Sequence, residues 1–162
     1  MPKVLVLYYS KTGNTRKMAE AFTQGLKQEG VTVSLKNVKE TNVDELLEYE
    51  GVAIGSPTYY GQMAGEIKKL LDESIKFHGK MEGKVGAAFT SSGGYGCGGE
   101  TTILSILQAF LIHGMIVQGD STDRHYGAII KEAPNERDEK MIREKGRRMG
   151  KLVNKLFPKP RI

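Results

Sequence analysis

The chain has 162 residues, 39% hydrophobic and 27% charged, with a formal net charge of +5; that length predicts one domain spanning residues 1–162 and excludes disordered or collagen-like classes. Cys97 is the single cysteine, so no internal disulfide forms, and Cys and His are too few and too dispersed for a structural zinc. No apolar run approaches the ~20 residues of a membrane span, and Met1-Pro2-Lys3 leads straight into Val4-Leu5-Val6-Leu7 without room for a cleavable signal, so a cytoplasmic location is expected.

Strands and helices alternate along the chain. Val4–Tyr9 is apolar without alternation, the pattern of a strand covered on both faces. Polar Ser10–Thr15 leads into a helix with Met18, Phe22 and Leu26 on one stripe, ending near Gly30. Val31, Val33 and Leu35 alternate with polar residues, as in a half-exposed edge strand. Asp44–Tyr49 reads as a short helix, Gly51–Gly55 as a buried third strand, and Ile67, Leu70, Leu71 and Ile75 as the stripe of the next helix. Val85–Phe89 is a fourth strand of mainly small residues. A glycine-rich loop follows, then a helix marked by Ile103, Leu107 and Phe110, a fifth strand at Met115–Val117, and a final basic helix. Glu136–Ile162 hold ten Lys/Arg against four Asp/Glu, whereas the rest of the chain is nearly balanced. Those cations are interleaved with Ile142, Met149, Leu152, Val153 and Leu156 at near-helical spacing, which predicts a solvated helix face and not a nucleic-acid groove; docking to an acidic partner is the lesser alternative.

Five strands with an edge-like second strand predict a doubly wound α/β parallel sheet in the order 2-1-3-4-5. Ligands of such sheets bind outside the carboxyl ends of the strands, at the switch between strands one and three. Three loops are thereby selected. Ser10-Lys11-Thr12-Gly13-Asn14-Thr15 places hydroxyls and an amide at a helix start, where backbone N–H groups lack partners. It suits a phosphate monoester, or it is an ordinary N-cap with spare polar residues; it is not a Walker loop. Pro57-Thr58-Tyr59-Tyr60-Gly61 sets two adjacent rings just past a strand end, where both cannot enter the core, so at least one stands ready for a flat aromatic ligand unless both pack under the loop. Ser91-Ser92-Gly93-Gly94-Tyr95-Gly96 lets the backbone approach a ligand closely and adds a third ring. Gly94-x-Gly96-x-x-Gly99 with Asp120 further on also matches the dinucleotide fingerprint, but it follows its strand too late and only one βα unit remains after it.

Together these loops resemble the flavodoxin family over nearly the whole chain. Val4–Thr15 is similar to the family's phosphate loop, and Gly55-Ser56-Pro57-Thr58 with Gly61-Gln62-Met63-Ala64-Gly65 to its middle flavin loop. Met63-Ala64-Gly65 and His113-Gly114-Met115 look closest to the flavodoxin-like NAD(P)H:quinone oxidoreductases. The resemblance implies FMN as cofactor. Ser10, Lys11, Thr12, Gly13, Asn14 and Thr15 would hold its phosphate, Pro57 through Gly61 would lie along the isoalloxazine, and Ser91 through Gly96 would cover its pyrimidine end. It implies redox partner proteins, or NAD(P)H and a quinone, as partners. Two departures bear on the branch. The quinone-reductase relatives carry a long insertion between strands two and three that supports a tetramer, and a histidine where Ile112 stands; here Asn37–Gly51 is short, which favours a monomer or dimer. Carrier flavodoxins are acidic and often place Trp at the flavin; this chain is basic and has none. An electron carrier is the preferred reading, a two-electron enzyme the alternative, and a non-redox phosphate- or nucleotide-binding regulator the third. Cys97 is read as incidental in preference to a low-pKa thiol, and His113 as a charge partner of a helix end in preference to a base. His125-Tyr126-Gly127 cannot be placed from sequence.

Overall fold

Val4, Leu5, Val6 and Leu7 are wholly buried, with Val4 and Val6 in one hydrophobic cluster and Leu5 and Leu7 in another. Each strand of such a run feeds both faces of a sheet, so the absence of alternation in the sequence is explained by burial on both sides. The computed structural model describes residues 1–158. In chain order they form β1 (Lys3–Tyr8), α1 (Asn14–Gln28), β2 (Thr32–Asn37), β3 (Gly51–Pro57), α2 (Gly65–Glu73), β4 (Val85–Ser92), α3 (Gly99–Ile112), β5 (Ile116–Val117), β6 (Ala128–Lys131) and α4 (Glu136–Leu156). Short 3-10 turns cover Val38–Glu40, Val43–Glu48 and Ser74–Phe77.

The sheet is parallel, in the order β2-β1-β3-β4-β5, as expected. Val6 pairs with Leu35 on one side and Ala53 on the other. The fifth position departs from the expectation. β5 pairs only with Val85 and Gly86, while β6, which the sequence pattern did not reveal, pairs with Phe89–Ser92 further along the same edge. Residues 118–127 leave the sheet between them. The run Gly119-Asp120-Ser121-Thr122-Asp123 breaks any strand pattern, and Ala128-Ile129-Ile130-Lys131 alone is too short to announce itself.

One face of the sheet is covered by α1 and α4 around Met18, Phe22, Phe89, Ile142 and Met149, with the Phe22 and Phe89 rings stacked at 5.3 Å. These helices touch backbone to backbone: a Cβ on Gly25 would lie 2.0 Å from the Arg143 carbonyl oxygen, and one on Gly146 2.3 Å from that of Phe22. The other face is covered by α2 and α3 around Ile67, Leu70, Ile103, Ile106 and Phe110. Ile75 does not join that stripe. The helix ends at Glu73, and in the following 3-10 turn Ile75 is 72% exposed.

α4 corrects the picture of a solvated basic face. Arg137, Lys140, Lys151 and Lys155 are exposed, but Lys145 is nearly buried, its Nζ 2.7 Å from Asp120. Arg148 donates to the Gly119 carbonyl at 2.9 Å and Arg147 pairs with Glu29 at 2.8 Å. The cations therefore anchor segment 118–127 and α1. The last four residues of the basic segment, 159–162, lie outside the described residues. His113 is also corrected. It is buried at the end of α3, and burial above all, with His78 second, holds its imidazole below the usual histidine range. It is neutral near pH 7 and is no charge partner for the helix.

Candidate cofactor site

β1, β3 and β4 end side by side, and the loops that follow them converge. Ser10, Lys11, Thr12, Asn14, Thr15, Pro57, Thr58, Tyr59, Ser91, Ser92 and Gly93 wall one cleft there. Of the other expected site residues, Gly13, Tyr60, Gly61, Gly94, Tyr95 and Gly96 lie in the same three loops but outside the cleft wall.

α1 starts at Gly13, in a left-handed conformation with no side-chain cap. α4, by contrast, begins with a capping box in which Asn135 and Asp138 satisfy each other's backbone amides. Among the described residues the first amides of α1 thus have no side-chain partner, and the cleft lining beside them is mainly hydroxyls and an amide, with Lys11 its one cation and Glu132 its one carboxylate. Ser10 accepts from the Gly13 amide at 3.0 Å, fixing the turn. The Thr15 hydroxyl, buried, lies 2.9 Å from that of Ser91 and ties the first loop to the third.

The middle loop is pinned on both sides. Ser56 Oγ accepts from the Ala64 amide at 2.8 Å and donates to the Pro57 carbonyl. Thr90 donates its one hydroxyl proton to the Ser56 carbonyl at 2.6 Å, so in the 2.9 Å contact between Thr58 and Thr90 the donor is Thr58. The Thr58 amide donates to the Ser91 carbonyl at 2.8 Å. Between these anchors Tyr59 and Gln62 exchange two backbone bonds of 3.0 Å, and Tyr60 and Gly61 carry φ of +50° and +73°. That is a type I′ turn, with the glycine at a position that needs positive φ and a tyrosine held in a costly one. Tyr60 is fully exposed and Tyr59 is 39% exposed. A Cβ on Gly98, at the start of α3, would lie 2.5 Å from the Gly61 Cα, so the third loop buttresses the turn.

Sequence reasoning missed Glu132. Its amide donates to the Ser92 carbonyl at 2.8 Å and the residue lines the cleft. Recognising Ala128–Lys131 as a strand would have found it, because its end falls beside β4's. Asp120 is not available to a ribose: it accepts from Lys145 and Thr122, which hold its carboxyl well below the usual carboxylate range. His125 is not in the cleft wall; its Nδ1 lies 2.7 Å from the Asp120 carbonyl, and it shares a flanking depression with Tyr126 and Tyr95. Cys97 is exposed, its Sγ 3.7 Å from the Tyr95 carbonyl.

The sequence model of flavodoxin matches residues 6–146. The chain belongs to the flavodoxin family. A flavodoxin of Aquifex aeolicus is 38% identical, the match covering 94% of this chain and 88% of that one. An NAD(P)H dehydrogenase (quinone) of Archaeoglobus fulgidus is 32% identical over 96% of this chain and the whole of its own. Among solved structures, a flavodoxin from the domain Archaea superposes with a TM-score of 0.80 at 31% identity, covering 94% of this chain and 99% of its own. The cofactor of this family is FMN, and the residues present fit it. The uncapped helix start with its hydroxyls and Lys11 suits a phosphate monoester, and the cleft beside an exposed tyrosine turn suits a planar ring. No helix among the described residues is long and apolar enough to cross a membrane.

Proposed function

We propose that this flavodoxin-family chain is a cytoplasmic electron carrier that binds one FMN in the cleft and exchanges electrons with protein partners. The observation that carries the reading is the meeting, in one cleft, of an uncapped helix start with a rigid turn that displays two tyrosines. Bound FMN supplies reversible acceptance of electrons in its ring. The chain's own residues do the rest. Ser10, Lys11, Thr12, Gly13, Asn14 and Thr15 hold the phosphate, Pro57, Thr58, Tyr59, Tyr60 and Gly61 lie along the ring, and Ser91, Ser92, Gly93, Gly94, Tyr95 and Gly96 close its pyrimidine end.

The short connection between β2 and β3, which holds only two 3-10 turns, supports the carrier. The full-length match to a quinone dehydrogenase supports a second reading, in which NAD(P)H reduces the flavin and a quinone reoxidises it. The purified protein is expected to be yellow and to release one FMN per chain on acid denaturation. A colourless protein that takes up no FMN at micromolar concentration would sink both readings. Rapid turnover of NAD(P)H with a soluble quinone would replace the first by the second.

A further inference from the structure

The two faces of the sheet are finished differently. α1 and α4 meet through glycines, whereas α2 and α3 leave a groove of about 490 Å³ between them. Met63, Leu71 and Ala109 contribute apolar surface to it, and Ile75 and Ile112 stand at its edge, 72% and 71% exposed. Leu111, beside Ile112 in sequence, is 60% exposed. Single apolar side chains at a surface are ordinary. Two isoleucines opening so fully onto one apolar groove mark a surface that is covered.

Charge selects what covers it. Among the described residues, Lys68 and Asp72 are the only Lys, Arg, Asp or Glu lining the groove. They sit one turn apart on α2, 2.6 Å from each other, and both are more than half exposed. The groove thus has no excess charge to attract an acidic or a basic partner. A wall with one cation and one anion a turn apart is complementary to its own copy under a two-fold rotation, which sets Lys68 of each copy against Asp72 of the other. The chain's surplus cations lie elsewhere, on α4 across the sheet, where two copies would repel. We propose that the chain forms a two-fold homodimer through the α2–α3 groove, with Ile75 and Ile112 of each copy seated in the groove of the other. The cofactor cleft shares none of the groove's residues and stays open in that dimer.

Sedimentation velocity of the FMN-saturated protein, from low micromolar to hundreds of micromolar, tests this. The mass is expected to rise from 17.9 kDa to twice that value. Ile112→Asp is expected to weaken the dimer about a hundredfold. Lys68→Asp should weaken it about tenfold, and the Lys68→Asp/Asp72→Lys double swap should recover it. Leu156→Asp, on α4, should leave it unchanged. Circular dichroism and retained FMN establish that each variant is folded; should Ile112→Asp not fold, the charge swap decides alone. A monomer at every concentration, a dimer indifferent to Ile112→Asp, or a swap that fails to recover would each overturn the proposal.

Discussion

At the scale of single residues, the cleft separates side chains that can touch a ligand from those that shape it. Thr12 lines the cleft with no hydrogen-bond partner for its hydroxyl among the described residues, whereas Thr15 is buried against Ser91. A hydrogen bond to a charged group contributes about 1.5–3 kcal/mol, so Thr12→Ala is expected to weaken FMN by about ten- to a hundredfold while leaving riboflavin, which lacks the phosphate, nearly unchanged. Thr15→Ala is expected to weaken both ligands, FMN more, because it also frees the third loop; titration by flavin fluorescence measures each. Away from the cleft, Asp120 is paired with the nearly buried Lys145 and with the partly exposed Arg148. Lys145→Met strips one charge from that pair and is expected to cost about 3 kcal/mol in a denaturant melt. His113 carries a pH dependence. Ser74 gives its proton to the Leu71 carbonyl at 2.6 Å, so the 2.7 Å contact is His113 Nε2–H donating to Ser74, and Nδ1 is left as a buried acceptor without a partner. The unfolded chain binds a proton here near pH 6.5, the folded one only lower. The stability this site contributes is whole above 6.5 and is lost as pH falls from 6.5 through the folded value. Thermal melts between about pH 8 and about pH 5 should show that decline, and His113→Gln should flatten it.

At the scale of elements, α1 and α4 meet backbone to backbone at Gly25 and Gly146. Alanine favours a helix over glycine by about 1 kcal/mol, yet Gly25→Ala would drive a methyl into the Arg143 carbonyl. The net effect is expected to be destabilising by about 1–3 kcal/mol, read as a lowered midpoint in urea. Nothing in the sequence marked Gly25 as special, since a packing glycine and a tolerated one look alike until the partner helix is placed. The elements themselves were legible where hydrophobic period is strong: β1, α1, β3, β4 and α3 follow the residues that announced them. β6 was not, because four residues after a polar excursion carry no period. Ile75 was misassigned because i+4 spacing continues past the point where the helix ends. That the three loops meet in one cleft was legible because each follows a strong strand. Glu132 was hidden with its strand, and the burial of Lys145 was hidden because a lysine's partner is a matter of tertiary structure.

For the whole molecule, carrier and enzyme differ in whether electrons pass singly or in pairs. A carrier must separate the two reduction steps of its flavin. In the proposed carrier the strained Tyr60–Gly61 turn, buttressed by Gly98, would lie along the ring and would be the element that responds to a proton gained there. Stepwise anaerobic reduction is expected to show two resolved one-electron steps, with slow reduction by NADH or NADPH alone. Gly61→Ala is expected to bring the two steps together, since φ of +73° disfavours a side chain and the added methyl would meet Thr101 Oγ1 at 3.1 Å. A single two-electron step in the unaltered protein would contradict the carrier.

α1 and α3 both begin at glycines without a side-chain cap, beside the cleft, while α4 brings its own. In the proposed binding mode FMN would be the cap that α1 lacks, so that filling the cleft would complete an element of secondary structure. Amide hydrogen exchange at Asn14, Thr15 and Arg16 should therefore be fast in the empty protein and slow in the loaded one, with β1 protected in both. A cell short of flavin would hold this chain with its first helix frayed and its sheet intact, a form that proteases can tell from the working one.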